Sequence, residues 1–74
     1  MQISYDPEAD AIYIQLRQGT IDDTIEASPS VFVDVDDAGV PIGVELLFAR
    51  RLMKAPDLSS ITVHLAPAGA EPSR

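Results

Sequence analysis

Most side chains in this sequence that could do chemistry are carboxylates, and they gather around two turns. Asp6, Glu8 and Asp10 surround the first, and Asp34, Asp36 and Asp37 the second. Grouped carboxylates can hold a divalent cation or exchange protons with a substrate. Asp34, Asp36, Gly39 and Glu45 also fall at positions 1, 3, 6 and 12 of an EF-hand calcium loop. Three features oppose calcium. Position 5 is Ala38, which offers no side-chain oxygen, and the flanks are patterned as strands rather than helices. The expected hairpin register also sets Asp34 opposite Pro41, which leaves Glu45 roughly 13 Å away along the strand. Asp and Gly more simply belong in turns because they tolerate turn dihedrals. A metal set of Asp6, Asp10, Asp34 and Asp36 therefore stands as an alternative to solvated turn residues.

Other chemistry is thinner. His64 is the sole histidine, it falls on the polar side of its segment, and no cysteine exists to complete a zinc site. Ser28, Ser30, Ser59 and Ser60 lie in loops without a nearby base, and the four glycines are scattered, so no phosphate-binding loop forms. Tyr5 and Tyr13 are expected to pack in a sheet. No set of residues reads as catalytic, and a hydrolase with carboxylates converging on Tyr5 or His64 is the weakest alternative. No cofactor is expected.

The elements that position these residues follow from periodicity. The stretch 31–47, VFVDVDDAGVPIGVELL, reads as two strands around a turn at Asp37-Ala38. That turn pairs Val35 with Val40, Val33 with Ile42 and Val31 with Val44, and sets Phe32 beside Gly43. Apolar cross-strand pairs each contribute roughly 0.2–1 kcal/mol. A one-residue slip would turn every valine to water. Pro41 cannot donate a ladder hydrogen bond, so it belongs at an edge, a strand start or a bulge.

An earlier hairpin spans 1–16. A short strand over 3–5 ends in Asp6-Pro7, the start of a type I turn. The strand over 11–17 then alternates Ile12, Ile14 and Leu16 against Tyr13 and Gln15. This register faces Ile3 with Ile12 and Met1 with Ile14. A third strand over 20–27 has a poor pattern and is expected as an irregular edge. Phe48, Leu52 and Met53 at helical spacing, followed by Arg50, Arg51 and Lys54 toward the C-terminal end, predict a short helix near 47–55 stopped by Pro56. Alternation returns over 59–65. The expected fold is α+β and β-rich: an antiparallel sheet of five or six short strands with one helix. It forms a single domain over 1–65 with a flexible tail over 66–74.

Composition narrows the partners. Twelve acids against five bases give a net charge of −7 in 74 residues, which disfavours nucleic acid and anionic membranes. No apolar run is long enough to span a bilayer, and no leader pattern opens the chain, so a cytoplasmic protein is expected. A sheet this small without disulfides is short of core. Phe32, Leu47, Phe48, Leu52 and Met53 together exceed what one short helix can cover, which points to an interaction surface and a homodimer. Any charged partner should be a basic protein.

Two stretches, YDPEADAIYIQL and DVDDAGVPIGVELLFA, together resemble the small bacterial and archaeal proteins of the domain-of-unknown-function 2283 family. The matching positions are 5–14, 34–39 and 43–47. Ala38 stands where that family usually has an acid and Phe48 where Asp is common, which weakens an acidic site. Family members are often encoded beside small toxin-like proteins, so the resemblance implies an antitoxin-type role.

Overall fold

The computed structural model describes residues 1–55 and 58–66. Five strands, β1 (Gln2–Asp6), β2 (Ala11–Gln15), β3 (Asp23–Ser28), β4 (Val31–Val35) and β5 (Pro41–Leu46), precede one short helix, α1 (Ala49–Leu52). The strands form a single antiparallel sheet in the order β1-β2-β5-β4-β3. The molecule is a small, β-rich α+β fold. Among the described residues no helix is long and apolar enough to cross a membrane.

Both hairpins pair two residues away from the register that their turns suggested. In the first, Ile3 faces Ile14 and Tyr5 faces Ile12. The Asp6 carboxylate accepts the Glu8 and Ala9 amides at 3.0 and 3.2 Å, and Asp10 closes the loop at φ 53°, a left-handed conformation that Asp tolerates. In the second, Val33 faces Val44, Val31 faces Leu46 and Phe32 faces Glu45. Here the Asp36 carboxylate takes the Ala38 and Val40 amides, both at 2.9 Å, and widens the turn. Pro41 opens β5 opposite Val35, where the register shifts; its missing N–H falls where the ladder is already broken. Both slips are of even length, so every apolar side chain keeps its face.

That face carries Ile3, Ile12 and Ile14 with Ile42, Val44 and Leu46, and continues across β4 and β3 through Val31, Val33, Val35 and Ile25. Two covers lie on it. The loop over 16–22 leaves β2 with the Leu16 amide on the Ile42 carbonyl (2.7 Å) and reaches β3 with the Asp22 amide on the Val35 carbonyl (2.9 Å). Gly19 in this loop lies against Ile42, and a β-carbon there would come within 3.2 Å of Ile42 Cδ1. Beneath the loop Ile42 is 2% exposed and Val35 is buried. At the other end Met53, Leu58 and Ile61 line a hollow of about 260 Å³ with Ile3, Ile12 and Leu46.

The edge strand β3 is irregular, with a register shift between Glu26 and Ser28. The helix is shorter than its apolar spacing predicted. It ends in a Schellman motif: the Ala55 amide reaches the Arg50 carbonyl (2.8 Å) and the Lys54 amide the Arg51 carbonyl (3.2 Å), with Lys54 at φ 55°. Pro56, the expected stop, lies outside the described residues. The alternating stretch over 59–65 forms no strand, so the sheet has five. The expected tail over 66–74 lies outside the described residues from 67 onward.

Candidate functional site

The polar face of the sheet is built around Gly43. Tyr13 lies across this glycine from β2, and its hydroxyl donates to Asp34 Oδ2 on β4 at 2.8 Å. Thr24 on β3 donates to the other oxygen, Oδ1, at 2.7 Å. A β-carbon at Gly43 would stand 2.5 Å from Tyr13 Cζ, so only glycine admits the ring. Tyr13, not Phe32, therefore covers Gly43. Phe32 stands one pair away, opposite Glu45. The Tyr13 hydroxyl is pushed up from its ordinary value, first by its hydrogen bond to Asp34, then by burial and the charges of Asp34 and Glu45. A phenol so held stays protonated and works as a donor.

At the end of the sheet where α1 begins, Asp10 ties the first turn to the helix. It accepts from the Tyr5 hydroxyl (2.9 Å) and the Arg50 amide (3.2 Å), pairs with Arg50 Nε at 3.2 Å, and gives its carbonyl to the Ala49 amide (2.9 Å). Burial opposes its ionisation, but the Tyr5 hydroxyl and the Arg50 amide and guanidinium outweigh that and hold its carboxyl below the usual range. At the opposite end Asp36 pairs with Arg17. The Val40 amide does most to lower its carboxyl; partial burial works against this, and the Ala38 amide and Arg17 add to the lowering.

The four metal candidates thus sit in four separate hydrogen-bond systems. Asp6 and Asp36 cap different turns, Asp10 anchors the helix, and Asp34 serves Tyr13 and Thr24. Among the described residues, no three His or acidic side chains converge where they could hold a metal ion. The spacing argument against calcium needs one correction. Asp34 faces Gly43 rather than Pro41, so Glu45 is only two residues along the neighbouring strand. Distance does not separate the two acids; the hydroxyls that engage Asp34 do.

The apolar candidates divide as well. Phe48 and Leu52 line a groove of about 420 Å³ with Pro29, Ser30 and Arg51. Phe48 caps α1 in the left-handed region at φ 53°, 53% exposed, with the Arg51 guanidinium 5.6 Å above its ring. Leu47 donates its amide to the Ser30 carbonyl (2.8 Å). Met53 lies over the apolar face and Phe32 on the polar one. Phe48 and Leu52 meet, whereas Met53 and Phe32 stand apart from them.

What sequence reasoning missed is a strip between the two covers of the apolar face. Val31, Val33 and Val44 are half-buried there, and Ile25 is 51% exposed. The apolar alternation of β4 and β5 was the available signal. No curated protein and no solved structure matches the chain. The family described as protein of unknown function, DUF2283, matches residues 2–50. With both hairpins and the start of α1 inside that match, the chain belongs to the DUF2283 family.

Proposed function

We propose that this protein is a non-enzymatic, cytoplasmic interaction module that works as a homodimer joined through its apolar sheet face. The open strip of Ile25, Val31, Val33 and Val44 carries this reading. A sheet must bury its apolar face against another layer, and here the dense packing between elements is all strand to strand. Covering the strip gains roughly 25 cal/mol for each Å² taken from water, and a second sheet fits about 10 Å away. Against catalysis, Asp10, Asp34 and Asp36 spend their oxygens on donors of the protein itself. Sedimentation equilibrium across micromolar concentrations is expected to give a dimer. A monomer at every concentration overturns the reading.

The net charge of −7, with exposed Asp22 just before edge strand β3 and exposed Asp23 and Glu26 along it, supports a basic protein as further partner, the antitoxin-like form of this function. Co-purification with a basic neighbour, lost on raising the salt, is the expected result. A solitary preparation indifferent to that neighbour overturns this form.

A further inference from the structure

The polar face of the sheet carries one row of side chains that the hydrogen bonds of Asp34 leave aside. Tyr13 of β2 faces Glu45 of β5, Glu45 faces Phe32 of β4, and Phe32 faces Glu26 of edge strand β3. Directly opposite residues share a side of the sheet, with β-carbons about 4.5–5.5 Å apart. Ring and carboxylate therefore alternate across four strands. Asp34, in the next row, spends its oxygens on Tyr13 and Thr24. Among the described residues the ion pairs are Arg17–Asp36 and Arg50–Asp10, so neither glutamate has a cation of its own chain. The sequence explains this, because none of the five strands contains a lysine or an arginine. Arg17 lies in the loop after β2, and Arg50, Arg51 and Lys54 lie in or just after α1. Glu26 is exposed, and Tyr13, Glu45 and Phe32 are only half-buried. The row is open, negative and flanked by rings.

We infer that the basic partner docks on this row, placing arginine side chains of an extended segment against Glu45 and Glu26. Arginine suits the row better than lysine does. Its planar guanidinium gives two parallel bonds to one carboxylate and also stacks on an aromatic face. Glu45 has a ring on either side, Tyr13 and Phe32, and Glu26 has Phe32 beside it. A cation held at either glutamate thus lies near a ring that attracts it as well. The two glutamates stand two strand spacings apart, roughly 10 Å. A polyproline II segment returns a side chain to the same side about every 9 Å, or every third residue. Arginines so spaced meet both carboxylates at once. The inference rests on the basic partner proposed above and names the surface that holds it.

The test must separate the row from the negative charge of the whole domain. A labelled peptide with arginine at every third position is titrated with the full chain at low salt, and binding is read by fluorescence anisotropy. Two double variants lose the same charge in different places: Glu26→Gln/Glu45→Gln in the row, and Glu8→Gln/Asp37→Asn at exposed turn positions. The row variant is expected to bind on the order of tenfold more weakly, since charge-assisted bidentate bonds are lost. The turn variant should stay within about twofold of wild type, because exposed charges beyond the Debye length are screened. Equal losses in the two variants overturn the site and leave the basic partner, held by overall charge alone. No binding to wild type overturns the site too, whereas failure of co-purification overturns the partner itself. The second measurement is Phe32→Leu, with folding checked by circular dichroism. It is expected to weaken the arginine peptide about threefold and a lysine peptide of the same spacing less. Unchanged binding of the arginine peptide to the folded variant overturns the part given to the ring.

Discussion

On one face of the sheet isoleucines, valines and Leu46 lie side by side under two partial covers; on the other, Tyr13, Asp34 and Thr24 are joined by hydrogen bonds over a bare glycine. The apolar face is stabilised by removal from water, which needs a second layer and is finished only at Ile12, Val35 and Ile42. The polar face needs no second layer, because its donors and acceptors meet within the sheet. A small domain can thus complete one face within the sheet while the other is buried only in part.

The strongest way to break this comparison is at Ile42, beneath the loop over 16–22. Ile42→Ala is expected to cost about 3 kcal/mol, a large share of the roughly 5–15 kcal/mol typical of a domain. Urea unfolding measures it, with wild type and variant compared at one protein concentration. A loss below about 1 kcal/mol would mean that the loop closes over the gap and that the buried end of the face is less rigid than its packing implies.

The next effect is on the polar face. Gly43→Ala places a methyl inside the Tyr13 ring and is expected to cost about 2 kcal/mol, from overpacking and loss of the Tyr13–Asp34 hydrogen bond. The double variant with Tyr13→Ala sharpens the test, because the methyl then meets open space. The glycine substitution should be nearly silent in that background. If it stays costly, the close approach of the ring is not why glycine stands there.

How much of this was legible in the sequence depended on whether the deciding interaction was local. The period-two runs around Ile12 and Val33 gave the strands and their faces. Pro41 was legible as an edge, a strand start or a bulge, and the poor alternation around Asp23 as an edge. The registers were not, because the Asp6 and Asp36 carboxylates lengthen both turns by taking amides of their own loops. Any turn rich in Asp offers that option without announcing it. The Schellman end of the helix was not legible because Lys54 takes the left-handed position where glycine is the usual signal. The Tyr13–Asp34–Thr24 link joins three strands that only the β1-β2-β5-β4-β3 order brings together. The glycine inside β5 was its one local trace. Composition pointed to a shortage of cover at Phe48 and Leu52, which are exposed, and did not mark the partial burial of Val33 and Val44.

The smallest expected effect separates the faces by pH. Tyr13 carries a raised pKa in the folded protein, caused first by its hydrogen bond to Asp34. The folded state therefore holds its proton more tightly than the unfolded chain, whose tyrosines ionise near about 10. The stability linked to Tyr13 is then fully present below that value and is lost as the pH rises through the folded pKa. Tyr13→Phe removes this dependence together with a hydrogen bond worth about 1–2 kcal/mol, so the two proteins should differ most at neutral pH and converge in alkali. Phenolate absorbance should show Tyr13 titrating late, and Asp34→Asn should bring that titration down. Variants at Val33 or Val44 leave the Tyr13–Asp34 hydrogen bond in place, so they should keep the wild-type alkaline slope. If Tyr13→Phe leaves that slope unchanged, the Tyr13–Asp34 bond does not hold in solution, and the polar face would need a partner as much as the apolar one does.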